Sequence, residues 1–186
     1  MPKIVNHDQY REDICKKCFA IFSKKGYASV TMREIAREAD VSTGTLYHYF
    51  PTKQAIFEQM FQYIAPENVA QTLGQYTQSM KLEEKLNQFT HFWGTYKTYY
   101  QNILLLLIDF YRNSDTGTAQ QVIDRIAMFY INEIAKYLEL PIEIAELMFT
   151  FLTGIVYHIM VRPETVSFEK LVGLFNAIVL EYQQQH

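Results

Sequence analysis

Thr43, Gly44, Tyr47 and His48 are the residues of this chain best placed for chemistry with a partner, and the chemistry they offer is recognition rather than bond-making. They fall on one side of a helix of about seven residues, predicted between a capping Ser42 and the helix-stopping Pro51. Hydroxyl, phenol and imidazole groups donate and accept hydrogen bonds, and a tyrosine ring can also touch a thymine methyl. An isolated helix below about 12–15 residues is marginal in water, so neighbouring elements must hold this one. Leu46 and Phe50, four apart, supply the apolar face that docks. The opposite face then points outward, at a size that fits a DNA major groove.

No comparable set suits catalysis. The chain has no GxSxG, phosphate-binding loop or carboxylate pair, and His7, His48, His91, His158 and His186 show no metal-ligand spacing. We therefore expect no catalytic residues, no metal, no cofactor and no enzyme activity. Cys15 and Cys18 form a CxxC inside a predicted helix, without a preceding strand or a second ligand pair, which favours core packing over redox or zinc chemistry. Two cysteines give no disulfide framework and fit a reducing compartment.

The elements that position the short helix are themselves helical. Strand alternation is nearly absent, with seven Gly and five Pro in 186 residues, and 49% apolar residues can supply real cores. A first helix is predicted over about 8–25, with Ile14, Cys18, Ile21 and Phe22 on its apolar stripe and Gly26 as its stop. Thr31 and Glu34 form a capping box for a second, whose apolar face is Met32, Ile35, Ala36 and Ala39 and whose end is Asp40. Thr52 caps a fourth helix starting at Lys53. There the helix dipole disfavours a cation, a conflict that a DNA phosphate bound by the amides and the lysine would resolve. Beyond Pro66, helices are predicted over about 67–79, 82–100, 102–113, 117–138, 142–161 and 167–184.

Charge agrees with this placement. Residues 1–60 carry nine Lys/Arg and seven Asp/Glu, a net +2, while residues 61–186 carry −5. Any polyanion-binding surface is thus expected at the front. The first thirteen residues, MPKIVNHDQYRED, have no apolar h-region, and no uncharged apolar run reaches the roughly 18–20 residues of a membrane span. A cytoplasmic location, away from membranes, is expected.

The run G-Y-x-x-V-T-M-R-E-I-A-x-x-A-x-V-S-x-G-x-L-Y-x-Y-F-x-x-K, residues 26–53, resembles the DNA-binding domain of the TetR (tetracycline-repressor-like) family of bacterial transcriptional regulators. The resemblance implies that Thr31 and Arg33 reach the phosphate backbone and a base edge. Ser42, Thr43, Gly44 and Thr45 would open the recognition helix at the groove, Tyr47, His48 and Tyr49 would contact backbone or bases, and Lys53 would hold a phosphate. Packing against the domain core is the other reading of Tyr49. The chain departs from the family at Asp40, where glycine is usual in the turn and a positive φ is expected.

The rest of the chain agrees with the family in length and helical character. Residues 147–161, LMFTFLTGIVYHIMV, carry no formal charge, so that helix must be covered on both sides, most simply by its own domain and by a second subunit. With the stripe of the last helix this predicts a four-helix dimer interface, as the resemblance also implies, through Leu147, Phe151, Gly154, Ile155, His158, Leu171, Phe175 and Ile178. Between reading head and interface lie Phe89, Trp93, Tyr96, Tyr100, Phe110, Phe129 and Tyr130, either core or, as a group, the lining of a pocket for a small apolar or aromatic effector. Asp109 is either a counter-charge for a cationic ligand or a surface partner of Arg112.

The expected fold is all-α: an N-terminal three-helix helix-turn-helix domain, residues 1–53, joined to a larger helical effector-binding and dimerisation domain, residues 54–186. The expected function is a homodimeric regulator, a repressor released from double-stranded inverted-repeat DNA by its ligand. An architectural or division-control DNA-binding protein is the alternative.

Overall fold

The computed structural model describes residues 7–73, 79–164 and 167–185. Among these are nine α-helices and no strand: α1 His7–Lys25, α2 Met32–Glu38, α3 Thr43–Tyr49, α4 Lys53–Leu73, α5 Leu82–Thr95, α6 Lys97–Arg112, α7 Thr116–Leu138, α8 Ile142–Val161 and α9 Phe168–Gln185. The all-α expectation holds. The chain packs as two compact units, residues 1–67 with 105–124 and residues 68–104 with 125–186. The division expected after residue 53 falls inside the first unit.

In the first unit α1 buries Ile14, Cys15, Cys18, Ile21 and Phe22, the predicted stripe with Cys15 added. Both thiols are sealed in this core, and burial pushes both up, Cys18 to about 12. An aromatic knot completes the core: Phe57 of α4 stacks on Phe110 of α6 with centroids 4.2 Å apart, and Tyr27 meets both edge-on.

The second unit buries Leu86 and Phe89 of α5, Ile131 and Ile134 of α7, Leu152 and Ile155 of α8, and Val172 and Val179 of α9. Asn176 of α9 is buried among them and donates to the Thr90 hydroxyl of α5 at 2.8 Å, satisfying its amide. The buried Lys85 ammonium meets Glu139 at 2.6 Å. Glu139 holds φ 57° to end α7, with the Leu140 amide closing onto the Ala135 carbonyl at 3.0 Å.

Two predicted boundaries move here. Pro66 lies inside α4 instead of ending a helix. Its missing donor and ring clash are outweighed because Phe57, Met60, Phe61 and Ile64 before it and Val69 after it are all buried. The predicted helix 67–79 is thus the tail of α4 up to Leu73, and its positions 74–78 lie outside the described residues. The predicted break near residue 101 falls instead at Tyr96, which caps α5 with φ −101° and ψ 16°. Helix α8, of 20 residues, is long and apolar enough to cross a membrane by length and composition. It buries Ala145, Met148, Leu152, Ile155, Val156 and Ile159, the stripe of a core helix.

Candidate nucleic-acid interface

The loop before α2 ends at Thr31, the N-cap. Its hydroxyl accepts the Glu34 amide at 3.3 Å, and the Glu34 carboxylate accepts the Thr31 amide at 2.9 Å, closing the predicted box. Lys25, at the end of α1, donates to the same carboxylate at 2.6 Å. That bond first, and the Thr31 amide and hydroxyl next, hold the Glu34 carboxyl down at about 2.

Helix α2 ends at Glu38, two residues before its predicted end at Asp40. Asp40 takes the left-handed conformation at φ 58°, as the departure from glycine implies. Its amide donates to the Arg37 carbonyl at 3.2 Å and the Val41 amide donates to that of Ala36 at 2.9 Å, while the Lys17 ammonium caps the Ala39 carbonyl at 3.1 Å. Two residues later Ser42 caps α3, accepting the Thr45 amide at 2.9 Å and pairing with the Thr45 hydroxyl at 2.8 Å. Leu46 and Phe50 are fully buried, so the short helix is held as its sequence requires.

The opposite face is open. Tyr47 is 51% exposed, and Thr31, Arg33, Ser42, Gly44 and His48 are exposed, with Thr43 and Thr45 half-buried. A Cβ on Gly44 would meet only the Ser42 hydroxyl, 3.8 Å away. Tyr49 turns the other way. Its hydroxyl bonds His7 Nδ1 at 2.7 Å, its ring packs on Tyr10 with centroids 5.2 Å apart, and the Arg11 guanidinium lies 5.7 Å from its centre. The packing alternative for Tyr49 describes this structure. Lys53 also turns inward, donating to three loop carbonyls. Arg37, exposed four residues after Arg33 on α2, was passed over in the sequence although the spacing puts both on one face.

The model of the family described as bacterial regulatory proteins, tetR family, matches residues 14–60, which hold α2, α3 and parts of α1 and α4. Over residues 14–60 this chain is therefore similar to the TetR family. The HTH-type transcriptional repressor KstR of Mycolicibacterium smegmatis is 54% identical over 43 residues, 23% of this chain and 21% of that protein. The HTH-type transcriptional regulator HbdR of Aromatoleum sp. is 44% identical over 55 residues, 30% of this chain and 23% of that one. The matched stretch thus spans about a fifth of the length of these curated relatives. Over the whole chain the likeness is one of fold. The fatty acid degradation regulator FadR from Bacillus halodurans superposes with TM-score 0.70 at 18% identity, covering 92% of this chain and 94% of that one. FadR from Bacillus subtilis, solved in complex with stearoyl-CoA, gives 0.69 at 16% identity, covering 89% and 95%.

Outside the stretch that matches the family model, the second unit carries two further surfaces. In the first, Trp93 stacks on Tyr100 with centroids 3.9 Å apart and rings 12° from parallel, Phe89 lies 6.0 Å from Trp93, and Phe129 lies 5.7 Å from Tyr130. Tyr96 packs on Phe92 and is largely exposed. Asn68, Tyr99 and Phe149 join this cluster without having been singled out. The buried Asn68 amide donates to the Tyr99 and Tyr130 hydroxyls at 3.2 and 3.1 Å, and the Tyr130 ring stacks on Phe149. Burial pushes the Tyr130 phenol up, with the Asn68 bond opposing. Phe110 is not among these residues; it belongs to the aromatic knot of the first unit, because the helix that carries it turns that ring onto Phe57. Asp109 is neither a partner of Arg112 nor part of this cluster, since it accepts from the Ala28 amide and the Asn113 side chain, both at 2.9 Å.

The second surface runs along α8 and α9. Of the residues expected at an interface, Leu147, Gly154, His158, Leu171 and Ile178 are exposed. Ile155 and Phe175 are instead buried in the unit's own core, and Phe151 stacks on Phe175 at 4.3 Å within the chain. Tyr157 and Leu174, 50% and 58% exposed, lie on the open face in their place.

Proposed function

We propose that this chain is a homodimeric DNA-binding transcriptional regulator of repressor type, acting in the bacterial cytoplasm on an inverted-repeat operator and released by a small apolar or aromatic ligand. The observation that carries this reading is the outward face of α3, where Tyr47 stands exposed and Gly44 leaves open space beside buried Leu46 and Phe50. DNA contacts are assigned to Thr31, Arg33, Ser42, Thr43, Gly44, Thr45, Tyr47 and His48, with residues 1–53 as the DNA-binding domain and residues 54–186 as the regulatory one.

The dimer is assigned to the α8–α9 face. Gly154 and Gly173 sit inside helices at some cost to helix propensity, and a Cβ on either would meet nothing within 4 Å. Their own fold does not require them, whereas a closely crossing helix of a second copy does. The effector is assigned to the Trp93, Tyr100 and Tyr130 cluster, whose neutral Asn68–tyrosine core suits an apolar ligand carrying a neutral hydrogen-bonding group. The stearoyl-CoA complex of a FadR with the same fold makes acyl compounds a sensible first screen.

The deciding experiment is selection of duplexes from a randomised pool, followed by binding of Tyr47→Ala. An enriched inverted repeat whose preferred bases shift in the variant is the expected result; no enrichment would overturn the reading. Because Trp93 is the sole tryptophan, its emission follows ligand binding directly.

A further inference from the structure

The loop between α1 and α2 is gripped by two side chains from distant parts of the sequence. Lys53, in the first turn of α4, donates to the carbonyls of Tyr27 at 2.7 Å, Val30 at 2.9 Å and Ala28 at 3.2 Å. An ammonium has three donors, and here three acceptors meet it. The same ammonium lies 4.5 Å from the centre of the Tyr27 ring. Asp109 of α6 accepts from the Ala28 amide at 2.9 Å. Its carboxylate also lies so near Gly26 that a Cβ there would come within 2.8 Å of Oδ2, and Gly26 has φ 81°. The glycine therefore has two reasons to be there, one conformational and one steric.

This loop leads directly into Thr31, the N-cap of α2. We propose that Lys53 and Asp109 form a clamp that sets the N-terminus of α2 for DNA binding, with Lys53 acting as a positioning residue and not as a phosphate ligand. The proposal rests on the DNA-binding reading above. The conflict between Lys53 and the helix dipole, which a phosphate could have resolved, is resolved inside the chain by loop carbonyls. A phosphate contact would withdraw a donor from one of them. Burial lowers the lysine pKa and the Asp109 charge works against that shift, so the two groups act on one another through the loop they share.

Electrostatics and clamping predict opposite signs at Asp109. Removing a negative charge from a DNA-binding protein favours DNA, whereas losing the clamp disfavours the operator. The full chain is compared with Lys53→Met, Lys53→Arg, Asp109→Asn and the Lys53→Met/Asp109→Asn pair, each at a temperature where circular dichroism shows it folded. The probes are the best duplex selected by the parent and poly(dI-dC). Each single variant should bind the selected duplex about tenfold more weakly, with the parent's salt slope and poly(dI-dC) affinity within about twofold. The pair should lose little more than its worse member.

A Lys53→Met slope smaller by about one unit, with equal loss on both probes, would identify a phosphate ligand and overturn the clamp. Retained affinity in Lys53→Arg, or parental or tighter binding by Asp109→Asn, would overturn it as well. Should Lys53→Met fail to fold, those two variants carry the comparison. If the parent selects no duplex, the DNA-binding reading fails by itself, and the clamp is read by hydrogen exchange. The Ala28 amide must then exchange faster in Asp109→Asn than in the parent, and equal rates would overturn it.

Discussion

Gly44 occupies the second position of α3, and nothing in the chain crowds the place where its Cβ would be. Glycine in a helix costs up to about 1 kcal/mol relative to alanine. Gly44→Ala is therefore expected to raise stability by up to about 1 kcal/mol in urea unfolding while weakening the selected duplex several-fold or more. A variant both more stable and equally tight would leave the glycine without a part in DNA approach. Glu34 offers a pH test of the same surface. Its carboxyl sits near 2 because Lys25, then Thr31, favour the charged form. An unfolded glutamate titrates near 4.3, so the folded value is the lower of the two. This contribution is present above about pH 4.3 and is lost as pH falls toward 2. The urea midpoint of the parent should fall more steeply across that window than that of Glu34→Gln, and the difference should shrink with added salt, since the site is exposed and screened. Parallel curves would assign acid sensitivity to other groups.

The turn between α2 and α3 is where local rules serve best. Thr31, Glu34 and Ser42 could be placed from sequence because a cap depends on its own neighbours within three residues, and each makes the bond its type predicts. Asp40 was legible for the same reason, and its φ of 58° makes the substitution Asp40→Gly an expected gain of a few tenths to 1 kcal/mol. Urea unfolding checks it, and a clear loss would show that the carboxylate makes a contact of its own. Elements whose limits depend on packing were not legible. Pro66 reads as a stop by every local rule, yet buried residues on either side carry α4 through it. The contacts of Lys53 and Phe110 are not legible either, because nothing within a few positions reveals that the first meets the 27–30 loop and the second meets Phe57. Those contacts span 23 or more positions of sequence, beyond the reach of any helical periodicity.

At the scale of the molecule, the apolar α8–α9 face makes assembly the first property to examine. The proposed dimer face shows in the sequence as a surplus of apolar residues, but not to the residue, because a stripe too wide for one neighbour does not say which edge faces inward; Ile155 and Phe175 are in the core and Leu174 is outside. Ile178, 61% exposed, is the sharper test. Ile178→Asp should leave the fold intact by circular dichroism, yield monomers in sedimentation, and lose binding to an inverted repeat whose half-sites lie about 34–36 Å apart or somewhat more. A dimeric Ile178→Asp would move the interface elsewhere. The sealed thiols of α1 have a different use. Cys15 and Cys18 are the only cysteines and belong to the first unit, while Trp93, the only tryptophan, belongs to the second. A thiol reagent can attack only after α1 opens, and until then burial suppresses the reactive thiolate. The rate of alkylation therefore acts as a stopwatch for one unit while indole emission watches the other. Whether the two melt together or in turn can be timed in the natural chain, with no label introduced.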